Sequence, residues 1–321
     1  MSAAMAAAAT AATPAARVAQ VYNRLGAWSG NLLNPIEAKI EAFFIGLGAP
    51  VAIQAAKAST KYAGFGGLSM PVWNVPAALS PTMLIAGQRI GLDKLGHFFQ
   101  QGYAYFQRVR AGQTLAQVVA WGKATEAGDY GLSSSGVYSR GDLEANLQGY
   151  NFYNSLFTTV PFPRVFTPTT YINAKWNELS NPNDYHKNVV DRVWANILSI
   201  TARRWTGTLG LETGVTVPIT FTWTRANPAN DATGRPMVSG TYAYTNPTAG
   251  PLTGTVSARV LPFVAAGQTS TPTALLHVSW GRGRNSGKAV LLNVGGEKRL
   301  KGTWGRGQQY RGGGTLDLTA P

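Results

Sequence analysis

One histidine and several carboxylates fall close together in a chain that is otherwise poor in charged residues. The range 93–153 holds five of the 14 acidic residues and one of the three histidines of this 321-residue chain. Imidazole and carboxylate groups together bind divalent metal ions, and they also act as general acids and bases in hydrolysis. We therefore predict a functional site here, with His97, Glu126 and Asp142 as catalytic residues or as ligands of a divalent metal.

Four further polar residues accompany these three candidates. Asp93 and Asn146 are each four residues away from a candidate, and residues four apart lie on one face of a helix. Lys94 and Arg140 place positive charge beside them. We predict that all four bind the substrate.

Three helices are expected to position the site, over residues 93–110, over 114–125 and from Ser139 onward. Each segment begins with a capping residue and carries apolar residues at helical spacing. Asp142 also completes a capping box with Ser139, Asp93 also suits a helix cap, and the histidine can simply face water. The alternative to a catalytic site is therefore a hydrogen-bond network that joins helices.

The order of these residues resembles a known family pattern. The pattern begins with Asp-Lys-x-x-His at Asp93–His97, continues with Glu126, and ends with Ser-x-x-Asp-x-x-x-Asn-x-x-Gly at Ser139–Gly149. This order of residues is similar to the polar pattern of the VanZ-like and YfiM-like envelope proteins. The resemblance implies a polar site and an envelope setting rather than a defined reaction. Those proteins carry the pattern in membrane helices or lipoproteins. Here the apolar range 42–56 is shorter than the ~20 residues that a membrane crossing requires, so no transmembrane span is predicted.

The composition favours a periplasmic, envelope-associated or secreted protein, with the cytoplasm as the alternative. Charged residues make up only 13% of the chain, about half the usual share. The formal net charge is +14, which is consistent with an anionic partner such as a glycan, a membrane surface or nucleic acid. The alternative is a general surface charge that serves solubility. Cysteine is absent, which excludes disulfides, thiolate zinc sites and cysteine nucleophiles.

The helical part is predicted to occupy residues 17–206. The alanine-rich residues 1–16 before it are expected to be a flexible tail. Within the helical part a helix should begin at Asn34-Pro35. The range 62–92 is rich in glycine and proline, which predicts a loop with one short helix from Pro81 to Gln88.

After residue 206 the hydrophobic period changes from 3.6 to 2. Seven short runs alternate apolar and polar side chains, and turns rich in Asn, Gly and Pro separate them. This pattern predicts a second, basic domain over residues 207–321, built as an antiparallel β-barrel or β-sandwich of about seven strands. The expected fold class is α+β in two domains.

The second domain combines arginines, glycines and aromatic residues near its turns. Such mixtures bind single-stranded nucleic acid or sugars through charge and stacking. The predicted binding residues are Trp280, Arg282, Arg284, Trp304, Arg306 and Tyr310. The alternative is that these arginines are solvated turn residues. Segments such as Val278–Trp280 faintly resemble avidin-type barrels, a likeness too loose to imply a ligand.

Three hypotheses follow. The first is an envelope or secreted protein with a metal-assisted hydrolytic site in its helical domain and a binding β domain. The second is a non-enzymatic binding or structural protein whose polar cluster joins helices. The third is nucleic-acid or glycan binding by the basic β domain.

Overall fold

The computed structural model has a helical region followed by a C-terminal β-barrel, which confirms the predicted α+β arrangement. It divides into two compact units, Met1–Ala56 with Val72–Asn183 and Lys57–Pro71 with Asp184–Pro321. The structure describes residues 2–25, 52–54, 60–65, 81–91, 93–128, 130–163, 165–177, 181, 183–224, 229–231, 233–294 and 296–321. The helix expected at Asn34-Pro35 and most of the apolar range 42–56 lie outside these residues.

Two N-terminal helices, α1 (Ser2–Ala8) and α2 (Pro14–Leu25), belong to the first unit. Met5 and Ala8 are buried in the core of that unit. The segment expected to be a flexible tail therefore contains a packed helix. The physical reason is that alanine favours the helix more than any other residue, and Met5 and Ala8, three residues apart, share one face.

A small antiparallel sheet follows, with strands β1 (Ala52–Gln54), β2 (Pro81–Ile85) and β3 (Gln88–Gly91) in that order. The short helix predicted over this range is wrong. Ala86 and Gly87 have φ values of 52° and 74°, and two consecutive positive φ angles form the tight turn of a β-hairpin. A glycine in that position favours the hairpin over a helix.

Three helices of the first unit lie close to their predicted positions. Helix α3 extends from Asp93 to Arg110 and contains a wider π-helical turn over His97–Gln101. Helix α4 comprises Leu115–Ala127, and helix α5 comprises Arg140–Thr158 after the short strand β4 (Val137–Tyr138). Among the described helices, none combines the length and apolar character needed to cross a membrane.

Helices α3 and α5 run in the same direction. His97 contacts Asn146 near the start of the two helices, and the rings of Phe106 and Phe157 lie 5.8 Å apart near their ends. Helix α4 connects them and therefore runs the opposite way. Its C-terminal end returns the chain to the N-terminal ends of α3 and α5, and this places the polar residues of all three helices at one end.

Two glycines allow α3 and α5 to approach closely. A Cβ atom at Gly102 would lie 2.5 Å from the Cα atom of Gly149, and a Cβ atom at Gly149 would collide with the carbonyl oxygen of Phe98. Burying one large apolar side chain such as phenylalanine stabilises the folded state by about 1.5–3 kcal/mol. The fully buried aromatic side chains around this contact are Phe98, Phe99, Phe152, Tyr153 and Trp176.

The second unit is an antiparallel barrel in which consecutive long strands are neighbours. Its eight strands are β6 (Arg204–Gly210), β7 (Thr216–Trp223), β9 (Pro236–Asn246), β10 (Gly250–Pro262), β12 (Ala274–Arg282), β13 (Asn285–Asn293), β14 (Arg299–Arg306) and β15 (Gly314–Thr319). The last of these strands pairs with the first, which closes the barrel. Closure leaves no exposed edge along these strands.

Three shorter strands and one helix complete this unit. Strand β8 (Ala229–Asn230) pairs with β9, and β5 (Asp184–His186) pairs with β11 (Ser270–Thr271). Helix α6 (Val190–Asn196) continues as a π-helical turn over Ile197–Thr201 and packs against three barrel strands.

The sequence-predicted domain boundary at residue 206 lies inside the second unit. The seven predicted strand runs all fall on barrel strands, and the eighth strand is β6, which begins at Arg204. The apolar pattern predicts one continuous helix from about Val189 to Trp205, but the helical turns end at Thr201. Trp205 and Leu209 point into the barrel as alternate residues of a strand, and both are buried.

We expect Gly149→Ala to destabilise the first unit by about 1–3 kcal/mol, because the added methyl group overpacks the contact between α3 and α5. Thermal unfolding followed by far-ultraviolet circular dichroism measures the change. Asn151→Ala alters an exposed residue of the same helix and is expected to change stability by less than about 0.5 kcal/mol. Equal melting temperatures for Gly149→Ala and the wild type would contradict the close helix contact.

Candidate functional site

The first unit brings together the three residues predicted to be catalytic. His97, Glu126 and Asp142 each offer one ligand atom, and these atoms all lie within 4.8 Å of one another. The Nε2 atom of His97 is 3.3 Å from Oδ2 of Asp142. The three side chains come from three different helices, so the site depends on how α3, α4 and α5 pack.

The start of α5 explains why Asp142 is available to the site. Ser139 caps the helix, and its hydroxyl oxygen accepts from the backbone N–H of Asp142 at 3.2 Å. In a capping box the residue at Asp142's position would accept from the Ser139 N–H in return. Here Glu126 Oε1 accepts that bond at 2.9 Å. The predicted capping box is therefore only half formed, and the Asp142 carboxylate faces Lys94 and His97 instead.

Lys94 neutralises the carboxylates from inside the protein. Its side chain is completely buried, with Nζ 2.6 Å from Asp142 Oδ1 and 2.9 Å from Asp93 Oδ2. A Cβ atom at Gly141 would lie 2.9 Å from Lys94 Cε, so the missing side chain makes room for the lysine. The buried ammonium group therefore compensates the charge of both carboxylates, and the contact of Lys94 with a substrate stays a prediction.

Asn146 holds the other side of the histidine ring. Its side-chain amide is 3.0 Å from His97 Nδ1. With the amide nitrogen turned toward His97, it donates to Nδ1 and also to the backbone carbonyls of His97 and Asp142, at 3.3 and 3.2 Å. In that orientation a neutral imidazole carries its proton on Nε2; in the opposite orientation the Asn146 carbonyl accepts from a protonated Nδ1. The amide orientation is therefore coupled to the histidine's protonation.

Burial and mutual repulsion adjust the acidity of the cluster. Burial and the neighbouring Asp142 raise the pKa of Glu126 from 4.5 to about 7. Burial lowers the pKa of His97, but Asp142, Glu126 and Asp93 outweigh that effect and raise it overall. Burial also raises the pKa of Tyr105 to about 12, opposed by a hydrogen bond with Asn146. Glu126 can therefore exchange its proton near neutral pH, and His97 keeps its proton to a higher pH than an ordinary imidazole does.

The cluster reaches solvent on the α3 side. The side chains of His97 and Asp93 are 15% and 19% exposed, whereas Glu126 and Asp142 are buried. Arg140 is half-buried in the first turn of α5. His97 and Asp93 therefore form the solvent-exposed side of the cluster.

Five of the six binding residues predicted in the β domain line one cavity inside the barrel. They are Trp280, Arg282, Arg284, Trp304 and Arg306, and the cavity volume is about 360 Å³. Tyr310 is not among the lining residues, and its ring lies 5.3 Å from that of His277. Sequence reasoning missed Phe221, Tyr242 and Tyr244 on the opposite wall. The period-2 alternation of β7 and β9 was the signal that could have identified them.

Comparisons with protein-family models, with curated proteins and with solved structures found no match.

We expect Glu126→Gln to flatten the pH dependence of stability. The folded protein retains the Glu126 proton up to about pH 7, whereas its ordinary pKa is 4.5. Stability therefore falls as the pH rises through this window, by an amount on the order of a few kcal/mol. The raised pKa of His97 acts in the same direction near neutral pH, so the substitution reduces the slope without abolishing it.

Melting temperatures of the wild type and Glu126→Gln, measured without added metal across this pH window, test the effect. The glutamine retains a carbonyl oxygen that can accept from Ser139. Parallel profiles for the two proteins would show that Glu126 does not titrate with a raised pKa.

Proposed function

We propose that the helical unit binds a divalent metal ion through His97, Glu126 and Asp142 and uses it for hydrolysis. The observation that carries the proposal is the convergence of three ligand atoms, from three helices, within 4.8 Å of one another. One imidazole nitrogen and two carboxylate oxygens are a donor set that suits zinc, manganese or iron.

The dimensions of the cluster support this assignment. Ligand atoms that lie about 2.0–2.2 Å from a shared ion are roughly 3–4 Å apart, so the observed spacing requires only a small closure. Asp142 raises the pKa of Glu126, which means that the two carboxylates repel each other. A bound cation would relieve this repulsion, as the proton on Glu126 does without it.

A divalent ion bound here would polarise the substrate and lower the pKa of a bound water molecule. The protein's own groups prepare the site for it. Asn146 fixes the ring of His97 through Nδ1, which leaves Nε2 directed toward Asp142. Lys94 neutralises part of the negative charge of Asp93 and Asp142. Glu126 exchanges its proton near pH 7, which suits a group that takes part in acid–base chemistry or binds metal at that pH.

A structural network is the competing function, and two observations favour it. Lys94 and Asn146 are buried and join α3 to α5 through polar contacts. Such a network would hold the helices together without a ligand. We further propose an envelope or secreted setting, on the basis of the VanZ-like and YfiM-like resemblance and the low share of charged residues.

The metal proposal predicts one tight divalent ion per chain. We expect isothermal titration calorimetry with zinc or manganese to give one binding site in the wild type. The metal affinity should be at least ~100-fold lower in each of the variants His97→Gln, Glu126→Gln and Asp142→Asn, because replacing even an outer-shell partner lowers metal affinity 10–100-fold. Binding near pH 7 should release protons from Glu126 and His97, which titrations in two buffers of different ionisation enthalpy detect.

Glu144→Gln is the matched control, because it removes a carboxylate from the same helix. Glu144 instead accepts from Gln148 and Asn173, each at 2.9 Å, and metal binding should be unchanged. Absence of a site in folded wild-type protein, or equal affinity in all variants, would favour the structural network.

The hydrolytic part predicts metal-dependent turnover. Wild-type protein supplied with the ion that binds is expected to hydrolyse at least one of a set of nitrophenyl phosphate mono- and diesters and nitrophenyl glycosides. We expect kcat/KM to fall at least ~100-fold in Glu126→Gln and His97→Gln and to stay unchanged in Glu144→Gln. Metal binding without turnover, or turnover equal in all variants, would contradict a hydrolytic role for this site.

A further inference from the structure

The barrel of the second unit is filled at one end and hollow at the other. At the filled end Trp205, Trp223 and Leu318 are completely buried. At the other end the interior holds a cavity of about 360 Å³. Its apolar floor is formed by four side chains, Leu209, Ile219, Val278 and Leu316. The walls of the cavity are therefore formed mainly by paired strands, and turn residues such as Arg284 and Gly307 line its open side.

Small residues opposite large ones create this space. Trp280 pairs with Gly287, and Val278 pairs with Ala289 on the neighbouring strand. A Cβ atom at Gly287 would collide with the Trp280 ring, so the indole lies directly against the glycine backbone. Ala289 lines the cavity, and a larger residue there would fill part of the hollow region.

The two tryptophans of the wall are held rigidly. Trp280 Nε1 donates to the carbonyl of Gly305 at 3.2 Å, and Trp304 Nε1 donates to the carbonyl of Gly210 at 2.8 Å. Their ring centroids are 5.8 Å apart in an edge-to-face arrangement. Since both indole N–H groups are used by the backbone, the rings present apolar surface to the cavity. Preorganised aromatic surface of this kind binds apolar groups with little ordering cost.

The same cavity has a positively charged side. Arg282, Arg284 and Arg306 are among its lining residues. Arg306 contacts Glu212 at 2.8 Å, and both of those side chains are exposed. Within the described part of the chain, no carboxylate lies within ion-pair distance of Arg282 or Arg284. An anionic group at this side of the cavity would therefore meet two guanidinium groups that have no acidic partner there.

We propose that the barrel binds a small organic anion whose apolar body lies between the aromatic walls and whose acidic group contacts Arg282 and Arg284. The cavity volume of about 360 Å³ lies at the lower end of the range of small-molecule sites. Guanidinium groups bind carboxylates and phosphates alike, so the acidic group belongs to one of these two classes. The inference is independent of the helical site, and a failed metal titration would leave it intact.

The test compares ligands that share one body and differ in the acidic group. The full-length protein is titrated with 2-naphthoate, 2-naphthyl phosphate and neutral 2-naphthylmethanol, with binding followed by tryptophan fluorescence and calorimetry. We expect saturable one-to-one binding of at least one anion, at least ~10-fold tighter than the neutral compound. The preferred anion identifies the head group. Decanoate, which has a flexible chain of similar size, tests whether a planar body is required.

Two variants and one control locate the ligand. The double variant Arg282→Gln/Arg284→Gln is expected to weaken anion binding ~10-fold or more while leaving the neutral compound unaffected. Ala289→Phe is expected to abolish binding of both, because the new ring fills the cavity. Arg311→Gln removes an exposed arginine outside the lining residues and should bind like the wild type.

Three results would overturn the proposal. One is equal affinity for the neutral and anionic compounds, or no binding of any. Another is an equal loss of anion affinity in Arg311→Gln and in the double arginine variant, which would indicate non-specific attraction to a basic protein. The third is tight, strongly salt-dependent binding of a single-stranded oligonucleotide that Ala289→Phe leaves intact, with no binding of the naphthyl anions. The double arginine variant changes only residues at the cavity mouth, so the test does not depend on whether Ala289→Phe folds.

Discussion

Buried charge has to be neutralised within the protein, and the first unit is arranged around that requirement. Asp142 lies at the buried start of α5, where an unpaired carboxylate would be strongly destabilising. Lys94 supplies the main compensation from α3, and His97 lies on the other side of the same carboxylate. The position of α3 against α5 is consequently fixed by charge as well as by packing.

Glycines make this compensation sterically feasible. Gly102 and Gly149 allow the two helix backbones to approach, and Gly141 leaves space for the lysine stem. At that close approach, Lys94 reaches Asp142 from the neighbouring helix. The apolar core and the polar cluster are therefore two results of the same helix contact rather than separate features of the fold.

The sequence predicts the three site helices, because capping residues and helical periodicity are local signals, whereas the convergence of His97, Glu126 and Asp142 is seen only in the structure. The sequence does not predict that Lys94 is buried, since a lysine beside an aspartate reads equally well as solvated. The sequence also does not predict that Glu126, rather than Asp142, accepts the hydrogen bond from the Ser139 N–H. Ser139 and Asp142 satisfy a local capping pattern, whereas Glu126 belongs to another helix. In the barrel, alternation identifies seven strands and misses β6, whose single aromatic residue, Trp205, continues the apolar pattern of the preceding helix. Local signals thus recover the elements, and contacts between distant residues decide the chemistry.

The order of the barrel strands has a consequence for synthesis on the ribosome. Seven of the eight neighbouring pairs join strands that follow one another in the chain, so those hairpins can form as they emerge. The closing pair joins Leu209 with Leu316 and Thr206 with Thr319, and it cannot form until β15 has left the exit tunnel. Until then β6 keeps one edge unpaired, which is the part of a nascent sheet that associates most readily with other chains. The interval between the exit of β6 and of β15 from the tunnel is therefore the period in which this edge of β6 lacks its partner strand.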